Sequence, residues 1–265
     1  GILEKFDLAS LPVDSTASQH LQIEAMKLAF ADVYRYVSER STMEVTTEQM
    51  LDDAYLASRA RLIDMRRAQD FQAGNPVKGG TIYLTAADEN GMMVSFIQSN
   101  YMGFGSGCVE PHYGISLQNR GYGFSLNVAS PNVVAPGKRP FHTIIPAFLT
   151  KDGQPVMSYG VMGGNMQPQG HMQTLVRMLD YRQGLQAACD APRWRFNKGL
   201  NINVEAAMNA ATVQGLKDLG HEIDVINDSY QDFGAGQFIW RAGNPAVEGY
   251  VAASDPRRDG LAAGY

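Results

Sequence analysis

The amino-acid sequence predicts an α+β fold in which helices and paired strands form layers. Helical patterns fill the first quarter of the chain, and hairpin patterns alternate with helical ones from residue 81 to the end. This alternation is typical of α+β domains, because each helix buries its apolar side against the apolar face of a sheet.

The N-terminal 80 residues are predicted to be helical and to end in a linker. Residues 14–37 carry apolar side chains at helical spacing and begin with Asp14 and Ser15, which are both good N-caps. A second helix is predicted over residues 47–67, after a capping threonine. Residues 71–80 combine glycine, proline and polar side chains without a period, so we interpret them as a linker.

From residue 81 onward, strands are more frequent. The β-rich runs 81–88 and 92–99 flank Glu89-Asn90-Gly91, which is a strong hairpin signal. A second hairpin is predicted around the turn at residues 151–154. Further helices are predicted at 170–182 and 205–219, and strands near 222–226, 237–240 and 249–252.

Composition argues against several classes of function. The formal charge of −5 is unfavourable for nucleic-acid binding, which needs a basic face, and no apolar run is long enough to cross a bilayer. The five histidines show no metal-ligand spacing, so we expect no metal, and we expect no cofactor. Cys108 and Cys189 are expected to be unpaired thiols, although their sequence positions also permit a disulfide.

The junction Gly80-Thr81 suggests a nucleophile that is created by cleavage of the chain. An N-terminal threonine carries a hydroxyl and its own base, because an α-amino group has a pKa of about 7.7–8.0 and is partly neutral at neutral pH. Cleavage before Thr81 would produce this pair, and Gly79-Gly80 supplies the backbone freedom that an N-to-O acyl shift needs.

The hairpin gives Thr81 a predicted partner. If residues 89–91 form a three-residue turn with Gly91 left-handed, the numbers of paired residues add up to 180 and Thr81 lies opposite Ser99. Opposed side chains have Cβ atoms about 4.5–5.5 Å apart, so the two hydroxyl groups can meet. A two-residue turn would instead place Thr81 opposite Asn100.

Several motifs in one order carry a resemblance to a known family. They are GILEKFDL and LAFADVYRY near the start, TIYLTAADENGMMVSF from residue 81, then GFGSG, PGKRP, MGGN and APRW, and ASDPRRDGLAAGY at the end. Over essentially its whole length the sequence resembles γ-glutamyltranspeptidases. The resemblance implies a four-layer αββα N-terminal-nucleophile hydrolase sandwich that is built from two subunits by self-cleavage.

The family pattern assigns expected roles to individual residues. Residues 1–80 correspond to the C-terminal part of the large (α) subunit, and residues 81–265 to the small (β) subunit. Cleavage between Gly80 and Thr81 would make Thr81 the nucleophile, and Ser99 stands where the family has a supporting threonine. Gly163 and Gly164 match the two glycines whose backbone N–H groups form the oxyanion hole.

The positions that recognise glutamate depart from the family pattern. Tyr101 replaces an asparagine, Arg120 and Gly123 replace the glutamine and aspartate that hold the α-amino group, and His142-Thr143 replaces a serine pair. A guanidinium group repels an ammonium group and binds a carboxylate. We therefore expect an acyl group that ends in a carboxylate and lacks an α-amine, bound by Tyr101, Arg120, His142 and Thr143. An internal salt bridge for Arg120 and a hydrogen-bonded core position for His142 are the structural alternatives.

The leading interpretation is an autoprocessed amidohydrolase or acylase of this family, acting on a small-molecule amide that carries a γ-glutamyl or glutaryl group. The alternatives are a true γ-glutamyltranspeptidase or glutathione hydrolase, and an unprocessed homologue with a binding role. Because the chain opens on Gly1, we expect a natural N-terminus upstream and the missing part of the large subunit as a partner. Localisation stays undetermined between periplasmic or extracellular and cytoplasmic, and a homo-oligomer remains open.

Overall fold

The computed structural model describes residues 1–71 and 80–264, and its architecture is α+β as predicted. The linker predicted at residues 71–80 lies, apart from its two ends, outside the described residues. The chain divides into two compact units. Unit 1 contains the described part of Gly1–Pro76, with Arg120–His142 and Trp194–Ile226, and unit 2 contains the described part of Val77–Asn119, Thr143–Arg193 and Asn227–Tyr265.

The helices and strands are numbered in chain order. The helices are α1 Thr16–Tyr36, α2 Thr47–Met50, α3 Asp53–Ala60, α4 Met166–Leu179, α5 Leu185–Asp190, α6 Ala210–Asp218 and α7 Ser229–Asp232. The strands are β1 Gly80–Ala87, β2 Met93–Tyr101, β3 Val109–Glu110, β4 Ile115–Ser116, β5 Ala147–Lys151, β6 Gln154–Met162, β7 Trp194–Lys198, β8 Asn201–Glu205, β9 Glu222–Ile226, β10 Ala235–Arg241 and β11 Tyr250–Ser254.

Helix α1 is the long helix predicted at the N-terminus. It begins after Ser15, whose hydroxyl oxygen accepts a hydrogen bond from the Ser18 N–H at 3.2 Å. Apolar residues such as Leu21 and Leu28 are buried, but so are Glu24 and Lys27. The helix is therefore enclosed on more than its apolar side, which the sequence pattern alone did not reveal.

The second predicted helix, over residues 47–67, is wrong in its extent, because the chain forms two short helices there. Helix α2 begins with a capping box between Thr46 and Gln49. The Asp52 carboxylate then accepts a hydrogen bond from the Tyr55 N–H at 2.9 Å and caps α3. Asp52 thus starts a new helix where the sequence pattern suggested continuation, since aspartate is favoured at an N-cap over a helix interior.

Unit 1 also contains a three-stranded sheet of order β7-β8-β9. Strands β7 and β8 are antiparallel, whereas β8 and β9 are parallel and are connected through α6. The helix predicted at 205–219 is shorter in the structure, because β8 extends to Glu205 and Asn209 caps α6. Strands β7 and β8 were not predicted from the sequence.

Unit 2 contains a four-stranded antiparallel sheet of order β11-β10-β6-β5, the hairpin β1-β2 and the small pair β3-β4. Helices α4 and α5 belong to the same unit. Its apolar core is formed by Met157, Tyr159, Val161, Leu185, Cys189, Phe238 and Ala253. Within the described parts of both units, no helix has the length and apolar character that a membrane crossing requires.

The β1-β2 hairpin has the register expected from a three-residue turn. Ile82 pairs with Gln98, and the pairing continues in step to Ala87 and Met93. Gly91 has a φ of 90°, so it occupies the left-handed conformation that this turn requires. The three-residue turn is confirmed, and the alternative two-residue turn is wrong.

Candidate active site

Thr81 lies near the start of β1 and is only 7% exposed. The pairing of β1 with β2 shifts by one residue between Gly80 and Ile82, so Ser99 and Asn100 of β2 together oppose Thr81 in a β-bulge. The Thr81 hydroxyl donates a hydrogen bond to Ser99 Oγ at 3.0 Å. The two hydroxyl groups that the hairpin count brought together are therefore in direct contact.

Ser99 Oγ accepts a second hydrogen bond, from the backbone N–H of Tyr101 at 3.0 Å. Tyr101 has a φ of 78°, a left-handed conformation that is unfavourable for an aromatic residue by about 1–3 kcal/mol. Ser99 therefore both contacts Thr81 and helps to hold a strained turn at the end of β2.

Gly163 and Gly164 connect β6 to α4 and have φ values of 126° and 61°. A Cβ atom on Gly163 would approach Gly234 Cα to 3.1 Å, so a side chain there meets both backbone strain and close neighbours. The Thr143 hydroxyl donates to the Gly164 carbonyl at 3.0 Å. The glycine pair thus forms a tight turn in unit 2, and the hydrogen bond from Thr143 helps to hold it in place.

Helix α4 begins at Met166, four residues before the predicted start at residue 170. Gly170 is an interior position, where an added Cβ would lie 2.5 Å from Val161 Cγ1, so the glycine permits close packing and does not mark the helix start. Because α4 begins at Met166, Gln167 lies in its first turn. Pro168 was the available signal, because proline is tolerated in the first turn of a helix.

Gln167 is a site residue that the sequence analysis missed. It is 2% exposed, and its Nε2 lies 3.5 Å from Thr81 Oγ1. Its backbone N–H donates to the Gly164 carbonyl at 3.1 Å. Gln167 therefore connects the candidate nucleophile to the glycine turn within one unit.

A histidine supports the strand that leads into the glycine turn. His171 Nε2 accepts a hydrogen bond from the Val161 N–H at 2.9 Å, and its ring packs against Tyr159 at 4.8 Å between centroids. Burial, aided by the charge of Arg193, lowers the pKa of His171 to about 4. The ring is therefore neutral at neutral pH, as an acceptor of this bond must be.

A buried charge cluster joins two of the family-like motifs, APRW and DPRR. The Asp255 carboxylate pairs with Arg193 at 2.8 Å and with Arg257 at 3.1 Å, and it accepts the Gly236 N–H at 2.8 Å. Burial alone would raise the pKa of Asp255, but the two arginines outweigh it and the pKa is lowered. Arg193 also donates to the Phe233 carbonyl at 3.0 Å, next to the segment that packs on Gly163.

The predicted carboxylate-binding residues Arg120 and His142 belong to unit 1. Arg120 opens a short 3-10 helix and is half-buried, and His142 is exposed. Partial desolvation, followed by the charges of Arg120 and Arg139, lowers the pKa of His142. A Cβ on Gly123 would lie 2.6 Å from the Phe141 carbonyl oxygen, which explains why no side chain occupies that position.

Unit 2 contains a cavity of about 590 Å³ that begins at Thr81 and follows β1 as far as Thr85. The cavity is also lined by β10 and by the C-terminal segment that includes Arg258, whose guanidinium lies 3.5 Å from the centre of the Tyr230 ring. Space for a small molecule therefore adjoins the candidate nucleophile.

Both cysteines are free thiols, as expected, with Cys108 exposed and Cys189 buried.

Three potential metal ligands meet in a buried polar cluster of unit 1, a grouping that the spacing of the histidines in the sequence did not indicate. Ligand atoms of His20, Glu24 and His221 lie within 4.8 Å of one another. However, the two imidazoles are hydrogen-bonded directly at 2.7 Å, and the Lys27 ammonium contacts Glu24 at 2.8 Å. A metal ion would have to displace that ammonium group, so the arrangement is better described as a hydrogen-bonded network.

Known proteins are similar to this chain over nearly its whole length. The model of the γ-glutamyltranspeptidase family matches residues 1–265. A glutathione hydrolase-like YwrD proenzyme of Bacillus subtilis is 35% identical over 99% of this chain and 50% of its own length. An oxamate amidohydrolase proenzyme of Klebsiella pneumoniae is 35% identical over 100% of this chain and 50% of its own.

Among solved structures, a cephalosporin acylase from Bacillus halodurans has 46% identity and a TM-score of 0.89, and the match covers 100% of this chain and 48% of that one. The chain thus spans about half the length of these relatives. The fold class is the α+β, four-layer αββα class of N-terminal-nucleophile hydrolases that the resemblance implied. The family match over the whole sequence and the agreement in fold show that this chain belongs to the γ-glutamyltranspeptidase family.

Proposed function

We propose that the protein is an autoprocessed amidohydrolase or acylase in which Thr81, freed by cleavage after Gly80, is the N-terminal nucleophile. The observation that carries this proposal is the 3.0 Å hydrogen bond from Thr81 Oγ1 to Ser99 Oγ, and Gln167 links the same Thr81 hydroxyl to the turn at Gly163 and Gly164. In this proposal residues 1–80 end the large subunit and residues 81–265 form the small subunit.

The proposed reaction has two steps. The new α-amine of Thr81 takes the hydroxyl proton while Oγ1 attacks the amide carbon, and the oxyanion binds to backbone N–H groups at Gly163 and Gly164. The amine passes its proton to the leaving nitrogen as the C–N bond breaks, leaving an acyl ester on Thr81. Water then attacks the ester and loses a proton to the α-amine. The bond between the acyl carbon and Oγ1 breaks, the amine returns the proton to Oγ1, and the carboxylic acid leaves.

The names of the relatives support this class of reaction. Two relatives at 35% identity are named as proenzymes, one of them an amidohydrolase. The solved structure at 46% identity is named a cephalosporin acylase. Hydrolysis of an amide bond is the reaction class that fits all three names, and two of them add a precursor form, so we propose this class of reaction for the chain.

For the acyl group we propose a chain that ends in a carboxylate and lacks an α-amine, with Arg120, His142, Thr143 and Tyr101 as binding residues. Arg120 supplies the charge, and the lowered pKa of His142 leaves a neutral ring that can donate one hydrogen bond. To bind a carboxylate, the Thr143 hydroxyl would have to turn its proton away from the Gly164 carbonyl, to which it donates at 3.0 Å. A γ-glutamyl substrate is the alternative, favoured by the relative named as glutathione hydrolase-like.

The first test is whether the chain is cut at Thr81. Mass spectrometry and N-terminal sequencing of the full-length protein should find a fragment that begins Thr81-Ile82-Tyr83. Thr81→Ala should stay uncut and inactive, Thr81→Ser should keep part of both activities, and Thr85→Ala in the same strand should be cut normally. Turnover by an uncut chain, or by Thr81→Ala, would refute the proposed nucleophile.

The second test concerns the acyl group. We expect kcat/KM for glutaryl-p-nitroanilide to equal or exceed that for γ-glutamyl-p-nitroanilide, because the acceptors for an α-ammonium are replaced by Arg120 and Gly123. Arg120→Gln should lower the glutaryl rate more than the γ-glutamyl rate. A strong preference of the parent for the γ-glutamyl substrate would establish the alternative instead.

A further inference from the structure

The side chain of Gln167 has a fixed orientation in the interior of unit 2. Its Oε1 accepts a hydrogen bond from the backbone N–H of Ile145 at 2.8 Å, and both residues are buried. A glutamine amide has one acceptor oxygen and one donor nitrogen, so this bond determines which end of the amide faces Thr81. The donor end, Nε2, lies 3.5 Å from Thr81 Oγ1.

The Thr81 oxygen has a lone pair available for such a donor. Its proton is directed to Ser99 Oγ, at 3.0 Å, so Oγ1 acts as the donor in that contact. An N–H group near the same oxygen interacts weakly while the hydroxyl is neutral, and more strongly when the oxygen loses its proton and carries negative charge. A donor at this position therefore favours the charged form over the resting form.

We propose that Gln167 is a further catalytic residue, whose amide N–H binds the nucleophilic oxygen of Thr81 as that oxygen gains negative charge. The inference rests on the proposed function of Thr81. In acylation the Oγ1 proton goes to the α-amine and a C–O bond forms, while in deacylation that C–O bond breaks and the oxygen leaves with the electron pair. Gln167 stabilises the oxygen at both moments, and no other reactant is required.

Other buried glutamines of α4 have a different environment, and one of them provides a control. Gln173 Nε2 donates to the Gln169 carbonyl at 3.2 Å, and Gln169 Nε2 donates to the carbonyl of the N-cap residue Asn165 at 3.0 Å, so both bonds run along α4. Gln167 differs because its amide reaches across to Thr81. Gln173→Glu thus places an acidic group in the same buried helix away from the nucleophile.

Two variants of Gln167 test the proposal in the full-length protein. Gln167→Met removes the donor and the acceptor, and we expect kcat to fall about tenfold or more while KM stays within about threefold. Gln167→Glu keeps an acceptor for the Ile145 N–H but presents a carboxylate to Thr81. Its rate relative to the parent should be low at about pH 8 and should rise as the pH falls to about 5, because protonation restores a donor.

The rising ratio distinguishes a catalytic donor from a structural side chain, since a packing defect does not recover on acidification. Gln173→Glu should show no such rise. A Gln167→Met enzyme that is cut at Thr81 and keeps kcat within twofold would overturn the proposal, as would a Gln167→Glu ratio that does not change with pH. Failure of the Thr81 mechanism is recognised separately, by turnover in Thr81→Ala.

Discussion

Replacing Ser99 with alanine tests the contact on which the candidate site is built. Ser99 Oγ accepts two hydrogen bonds, from Thr81 Oγ1 and from the Tyr101 N–H, both at 3.0 Å. Ser99→Ala removes the acceptor for both donors and leaves the backbone otherwise unchanged. The nucleophile loses its orientation, and the strained turn at Tyr101 loses a support.

The size of the effect follows from these two bonds. A neutral hydrogen bond contributes about 0.5–1.5 kcal/mol net, and a donor left without a partner costs about 1–3 kcal/mol. We therefore expect the free energy of unfolding to fall by about 2–3 kcal/mol. If the Thr81 bond contributes about 1.4–2.7 kcal/mol to the transition state, kcat falls about 10- to 100-fold.

The assay is kcat for one amide substrate together with urea unfolding, measured for Ser99→Ala, Ser99→Thr and the control Ser95→Ala. Ser95 lies on the same strand and contacts the Tyr83 hydroxyl at 2.6 Å, away from Thr81. Ser99→Thr should keep most of the activity, because it keeps an oxygen, and Ser95→Ala should change stability more than kcat. Equal values of kcat for Ser99→Ala and Ser95→Ala would refute the assigned orientation of the nucleophile.

Three other predictions concern stability and thiol chemistry. The pKa of His171 is about 4 in the fold against 6.5 as the ordinary value, so its neutral form contributes fully to stability above pH 6.5. The free energy of unfolding should fall by about 3 kcal/mol as the pH is lowered toward 4, and urea unfolding across this range measures the loss. Asp255→Ala should lower the free energy of unfolding by about 3–5 kcal/mol, because it leaves buried arginines without their counter-charge. A double-mutant cycle with Arg193→Ala should show strong coupling between the two residues, and additive effects would contradict the buried ion pair. Exposed Cys108 should react with a disulfide reagent in the native protein, whereas Cys189, whose pKa burial raises to about 12, should react only after unfolding.

Local patterns were sufficient for the features that depend on neighbouring residues. The turn at residues 89–91 defined the hairpin register, because one left-handed glycine sets which residues face each other along both strands. The contact of Thr81 with Ser99 followed from counting along that hairpin. Helix α1 was predicted within two residues, since its apolar spacing and its serine cap act over single turns.

Local patterns failed at two helix boundaries. The break between α2 and α3 depends on the Asp52 side chain capping a new helix, a choice that the apolar spacing of residues 47–67 did not reveal. The start of α4 was placed too late because Gly170 is usually read as a helix boundary, whereas here it allows the helix to approach Val161. A side-chain cap sets the boundary only at α3, whereas at α4 the close approach to Val161 explains why a glycine occupies the helix interior.

The sequence by itself determined the family, the fold class and the hairpin that pairs Thr81 with Ser99, because each is written in motifs or in spacing over a few residues. Only the tertiary structure placed Gln167 beside Thr81, 86 residues away, and Asp255 beside Arg193. These contacts form when separate strands and helices pack, and the sequence states no distance between such elements. Buried polar groups form hydrogen bonds wherever packing brings a donor and an acceptor together. The residues that contact the site through such packing can therefore be identified only from the three-dimensional structure.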